Sequence, residues 1–161
     1  MRILITGGSG FIGKYLKQHL SIHHEIIAPS SKELDLTDNN AVGEFFKDRY
    51  FDAVIHSAVK GRNSVIEKSD EVYNDIVSMF ENLVKNSQHY NKFIHFGSGA
   101  EFGLDNAIDN ACEDDILNCY PKESYGLGKN IVARSIRVIP NFFTLRVFAC
   151  FDPSETDNRL I

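Results

Sequence analysis

Long apolar runs are missing from this chain. None approaches the roughly 20 residues needed to cross a bilayer, so no part of it is expected in a membrane. The N-terminus lacks the basic segment, apolar stretch and small-residue cleavage site that together mark a secretory signal. Cysteine is scarce and odd in number. Cys112, Cys119 and Cys150 follow no metal-ligand spacing and form no paired framework, which excludes a disulfide scaffold and suits a reducing cytoplasm. They are expected to be small, packed thiols. Positive charge is not in excess either: 17 Lys and Arg face 22 Asp and Glu, and the net charge of −5 argues against nucleic acid as a partner. Repeats, low-complexity tracts and linkers are also absent.

What remains is the composition of one soluble globular domain, with 43% hydrophobic and 24% charged residues in 161 positions. Strands and helices alternate along it. Arg2 to Thr6 reads as a strand, followed by a helix with Ile12, Tyr15, Leu16, His19 and Leu20 at helical spacing. Glu25 to Pro29 is a second strand, and Thr37 or Asp38 can cap a helix bearing Val42, Phe45 and Phe46. Ala53 to His56 is a short strand, apolar enough to be buried on both faces. A strong helix follows over Val72 to Val84, then a strand over Lys92 to Phe96. A polar, acidic loop runs from about Gly103 to Glu123. A helix over about Tyr125 to Val138 stops before Pro140, and Phe142 to Phe148 is the last strand. Such alternation predicts an α/β fold of the doubly wound, Rossmann type: a parallel sheet of about five strands with helices on both faces. Ligands in such folds bind beyond the carboxyl ends of the strands.

The first strand runs directly into Gly7-Gly8-Ser9-Gly10-Phe11-Ile12-Gly13. Gly8, Gly10 and Gly13 fit the dinucleotide fingerprint G-x-G-x-x-G, and Gly7, Gly10 and Gly13 fit a wider spacing equally well. The chemistry is simple: glycine lets the backbone approach a pyrophosphate, and the helix that follows presents its N–H groups and positive dipole end to it. Further on, Tyr125 and Lys129 lie four residues apart on one helix face. A phenol has an ordinary pKa near 10, and a neighbouring ammonium favours its phenolate, making it a usable acid or base at neutral pH. Ser98, at the carboxyl end of the fourth strand, could hydrogen-bond the oxygen that Tyr125 protonates.

With these motifs in this order, the chain resembles the extended short-chain dehydrogenase/reductases, the NAD-dependent epimerase/dehydratase family acting on nucleotide sugars. The resemblance covers Met1 to about Pro153. It rests on Thr6-Gly7-x-x-Gly10-x-x-Gly13, Asp35-Leu36, Ile55-His56-Ser57-Ala58, Asn74, Ser98, Tyr125-x-x-x-Lys129 and Arg146-Val147-Phe148. It implies that Tyr125 donates or accepts the proton, Lys129 holds the nicotinamide ribose, and Ser98 orients the reacting oxygen. It also implies that Gly7, Gly10, Phe11, Ile12 and Gly13 cradle the phosphates and that Asp35 and Leu36 contact the adenine. His56, Ser57 and Ala58 would line the cofactor channel, with Asn74 on the long helix.

Departures narrow the reaction. The acidic residue that holds the adenosine ribose in this family is replaced by Ser30, beside Ser31 and Lys32, which slightly favours NADP(H) over NAD(H). Family dehydratases carry an Asp-Glu pair after the serine; here stand Gly99 and Ala100, and Glu101, one place off, is expected to face elsewhere. The fucose synthase type uses a cysteine near Ala100. Carbonyl/alcohol interconversion is left, as a 4-keto-sugar reductase or a 4-epimerase. A dehydrogenase of a non-sugar carbonyl and a non-catalytic NAD(P)-binding module are the alternatives. The expected division is a dinucleotide-binding domain over 1–153 and a tail over 154–161 at a truncation point, since the resembled enzymes continue into a smaller lobe that grips the sugar. A homodimer through the long helix and the Tyr125 helix is the implied assembly. No metal site is expected: His56 and His95 read as packed or hydrogen-bonded strand residues, and the acidic loop has no calcium-loop spacing.

Overall fold

A computed structural model describes residues 1–60, 70–103, 110–148 and 150. Its elements follow the alternation read from the sequence: β1 (Arg2–Thr6), α1 (Phe11–Leu20), β2 (Glu25–Ile27), α2 (Asn39–Phe46), β3 (Phe51–His56), α3 (Asp70–Val84), β4 (Tyr90–Ser98), α4 (Ser124–Ile136) and β5 (Phe142–Val147). The sheet is wholly parallel, in the order β2-β1-β3-β4-β5. The chain steps outward from β1 to β2, then crosses back to β3 on the other side. That reversal opens a crevice beyond the carboxyl ends of β1 and β3.

Side-chain alternation along each strand feeds two cores. Leu4, Val54 and Phe93 face α2, α3 and α4, where Phe46, Ile76, Leu83 and Val132 close the larger cluster. Ile3, Ile5, Ala53 and Ile55 face the other way, with Leu16 and Leu20 of α1 packed on them. Helices therefore cover both faces, as parallel sheets require.

Local chemistry fixes several boundaries. Asp38, not Thr37, caps α2: its Oδ1 accepts from the N–H groups of Asn40 (2.8 Å) and Ala41 (3.1 Å). β2 pairs with β1 only as far as Ile27, two residues short of the expected end, because Pro29 has no N–H for the ladder. β4 is longer than expected, and Ser98 is its final residue. The acidic segment contains a 3₁₀ turn over Glu113–Leu117; residues 104–109 fall outside the described set. The thiols are not packed as expected: Cys112 and Cys150 are exposed, and only Cys119 is partly covered, against Phe102, Ile116 and Ala133. Among the described residues no helix is long and apolar enough to cross a membrane, and no His, Cys, Asp and Glu cluster could hold a metal ion.

Candidate active site

The crevice is a cleft of about 880 Å³, within the usual size of a cofactor site. Its floor is the glycine turn. Gly7 has φ +75°, a left-handed conformation, and a Cβ there would lie 2.6 Å from the backbone nitrogen of Ala58. Gly13 meets the carbonyl of Gly7 so closely that a Cβ would strike it, so α1 packs backbone to backbone on the turn. Gly10 closes the loop by donating to the Gly7 carbonyl at 2.9 Å. Among the described residues no side chain caps α1, and its first turn has no acid. A helix N-terminus with no side-chain cap among the described residues, over a cradle that a Cβ would fill, is what a pyrophosphate needs, so the residues present fit a dinucleotide.

The opposite wall brings together Ser98, Tyr125 and Lys129. Ser98 sits where β4 turns into the 3₁₀ segment Gly99–Phe102, whose first turn its side chain caps by accepting from Ala100 N–H (3.2 Å). Tyr125 is on the first turn of α4, and Gly126 beside it lets the helix approach that segment: a Cβ on Gly126 would lie 2.7 Å from the Ala100 carbonyl. Lys129, only 3% exposed, donates to the Phe96 carbonyl at 2.8 Å and lies 3.5 Å from His95 Nε2. An ammonium can only donate, so His95 Nε2 is the acceptor and its proton resides on Nδ1. That Nδ1 has no partner among the described residues.

Two imidazoles stack beneath the strand ends, His56 and His95, with ring centroids 5.5 Å apart. His56 Nδ1 is hydrogen-bonded to Thr6 Oγ1 at 2.7 Å. Burial drives the His56 pKa down to about 3, with help from the Lys129 charge. Burial, and then the Lys129 and Arg146 charges, push His95 well below the ordinary value. Both rings are therefore neutral at neutral pH.

Most residues singled out from sequence do line the cleft. Gly7, Gly10, Phe11, Ile12 and Gly13 form its floor, Ser31, Asp35 and Leu36 its β2 side, and Ser57 and Ala58 its β3 side. Ser57 is held there by its hydroxyl, which donates to the Thr6 carbonyl at 2.8 Å. Four do not line it. His56 points under the strand end, and Ser30 turns to Glu33, to whose Oε2 its N–H and its hydroxyl each donate at 2.8 Å. Lys32 is exposed on the β2 turn, and Asn74 is exposed on α3, where Met79 reaches the cleft instead.

Sequence reasoning missed two supports. Asn82, buried on α3, donates through Nδ2 to the Leu36 carbonyl (3.0 Å) and the Thr37 carbonyl (3.2 Å), holding the loop that carries Asp35 and Leu36. An Asn within an otherwise apolar helical face was the available signal. Glu101 does face away from the cleft. It is fully buried, its Oε1 accepting from Ser98 N–H (2.8 Å) and its Oε2 from Arg146 Nε (2.6 Å). Burial pushes its carboxyl up, and Arg146 pulls against that. Gly99 and Ala100, after Ser98, have no group able to move a proton.

The family model of the NAD dependent epimerase/dehydratase family matches residues 3–154. The chain belongs to that family. A GDP-L-colitose synthase from Yersinia pseudotuberculosis is 30% identical over 122 residues, taking in 73% of this chain and 39% of that protein. A GDP-L-fucose synthase from Azorhizobium caulinodans is 29% identical over 175 residues, 96% of this chain and 55% of that one. In three dimensions the chain shares the fold of a GDP-mannoheptose C4 reductase from Campylobacter jejuni solved with NADP bound: TM-score 0.79 and 24% identity, over 90% of this chain and 50% of that one. The chain thus spans about half the length of the relatives it matches. This is a family of NAD(P)-dependent epimerases and reductases of nucleotide sugars.

Proposed function

We propose that this chain is the cofactor-binding half of a nucleotide-sugar oxidoreductase, one that reduces a 4-keto sugar or inverts carbon 4 through a keto intermediate. The observation that carries this reading is that the glycine cradle and the Ser98, Tyr125 and Lys129 side chains line one cleft. When bound, the nicotinamide gives or takes the hydride. Tyr125 Oη gives a proton to the carbonyl oxygen in reduction and removes it in the reverse direction. Lys129 would favour the phenolate through its positive charge and hydrogen-bond the nicotinamide ribose. Ser98 Oγ orients the reacting oxygen. Asp35 and Leu36 hold the adenine end, and Ser57 and Ala58 face the path between. Elimination is disfavoured, because Gly99 and Ala100 are inert and Glu101 is spent on Arg146. The relatives named for GDP-sugars support a GDP-linked substrate, and the NADP held by the reductase of the same fold supports NADP(H). A cytoplasmic homodimer is the setting we infer.

The test is titration with NADPH and NADH, joined to turnover of a GDP-4-keto sugar. Tyr125→Phe is expected to leave dinucleotide affinity within about twofold while lowering turnover by about 10²-fold or more. A chain that binds neither dinucleotide, or unchanged turnover in Tyr125→Phe, sinks the reading.

A further inference from the structure

Resting on the dinucleotide reading above, we propose that Glu33 sets the balance between the two dinucleotides, because its carboxylate fills the donor nest of the Ser30 turn and so opposes a 2′-phosphate there. The backbone folds tightly after β2, with Glu33 N–H and Leu34 N–H both donating to the Ser30 carbonyl at 3.0 Å. That turn brings the Glu33 side chain back onto Ser30. Ser30 N–H and Ser30 Oγ–H then converge on one oxygen, Glu33 Oε2, at 2.8 Å each. Two donors aimed at a single anionic oxygen are the arrangement a phosphate oxygen takes.

The nest sits on the rim of the cleft, since Pro29, Ser31, Leu34 and Asp35 around it are lining residues. This corner lies at the end of the strand that, in doubly wound folds, handles the adenosine ribose. Hydrogen bonds from Ser30, first through its backbone and then its hydroxyl, hold the Glu33 carboxyl below its ordinary range, and Lys17 adds to this. Glu33 is thus ionised at neutral pH. A 2′-hydroxyl can donate to such a carboxylate, whereas a 2′-phosphate meets its charge and finds the Ser30 donors taken. Ser31 and Lys32 favour the phosphate from the same turn, so Glu33 is the counterweight. Being exposed, its carboxylate can also swing out into water.

The chain has no tryptophan, so NADPH and NADH can be titrated by their own fluorescence. Glu33→Gln removes the charge and leaves only a neutral amide oxygen, a weaker acceptor that a phosphate can displace from the Ser30 donors. It is expected to tighten NADPH by about fivefold, the upper worth of one exposed charge pair, while NADH changes by less than about twofold. Adding Ser30→Ala should remove part of that gain, since it deletes one freed donor. Equal shifts for both dinucleotides, or weaker NADPH binding in Glu33→Gln, overturn the proposal and leave Glu33 as a turn cap. Binding of neither dinucleotide by the unaltered chain is a different failure, one that takes down the dinucleotide reading itself.

Discussion

Glu101 and Arg146 form an ion pair directly behind Ser98: the guanidinium Nε donates to the carboxylate at 2.6 Å, and the two side chains are 0% and 6% exposed. The same carboxylate accepts from Ser98 N–H, so the pair fixes the backbone at the point where β4 delivers its hydroxyl to the cleft. Arg146 also lies over the Phe102 ring, 5.1 Å from its centroid, and reaches the exposed Glu113. Removing one member of a buried pair strands the other without water. Arg146→Met should therefore cost about 3–5 kcal/mol of unfolding free energy, whereas Glu101→Leu with Arg146→Met should recover much of it. Glu113→Ala, at the exposed end, should cost under about 1 kcal/mol. Urea denaturation of the single and double variants checks this, and an additive cycle would show that the pair does not act as one.

Acid should unfold this protein through its buried imidazoles. His56 has its pKa pushed to about 3 and His95 is also far below normal, while both titrate near 6.5 in the unfolded chain. Below pH 6.5 the unfolded chain takes up protons that the folded one refuses, so stability falls as pH falls. Each histidine contributes a slope approaching about 1.4 kcal/mol per pH unit, down to about pH 3 for His56. Denaturation at pH 7, 6 and 5 gives the slope. His95→Asn should lower it by nearly half of this histidine contribution, and an unchanged slope would count against burial as the cause.

The adenine side of the cleft depends on a residue far from it in sequence. Asn82→Leu leaves the Leu36 and Thr37 carbonyls without their donor, and these belong to the loop that carries Asp35. Two orphaned carbonyls should lower stability by about 1–3 kcal/mol. Dinucleotide affinity should drop more than thermal stability alone would explain, because the loop is loosened locally. Parallel melting and titration experiments separate the two effects.

Much of this was legible from the chain. Val72, Ile76, Met79, Phe80 and Leu83 recur at helical spacing, and that face is indeed the buried one of α3. Gly7, Gly10 and Gly13 stand between a strand and a helix, and only one backbone path suits them. Side-chain direction was less accessible. Ser30 and Ser31 are equal as letters, yet the turn gives one to Glu33 and the other to the cleft. Asn74 and Asn82 both lie on α3, and the turn of the helix exposes the first and buries the second. Glu101 finds Arg146 45 residues later, a pairing set by the adjacency of β4 and β5 and by no local pattern.

Two glycines in helices should respond to alanine with opposite sign. Gly43, in α2, has nothing within 4 Å of the place a Cβ would occupy. Gly43→Ala should then show the intrinsic gain, about 1 kcal/mol of added stability. Gly126, next to Tyr125 in α4, would carry its Cβ to 2.7 Å from the Ala100 carbonyl and 3.0 Å from Pro121 Cβ. The same helical gain is available there, but a collision with backbone costs about 1–3 kcal/mol and is relieved only by moving α4 away from the Ser98 turn. Gly126→Ala should therefore lose net stability and, by parting Tyr125 from Ser98, reduce turnover more than dinucleotide binding. Calorimetry on both variants, with titration of NADPH into Gly126→Ala, checks the pair. A Gly126→Ala protein as stable as Gly43→Ala would mean that α4 does not need that close approach to seat its tyrosine.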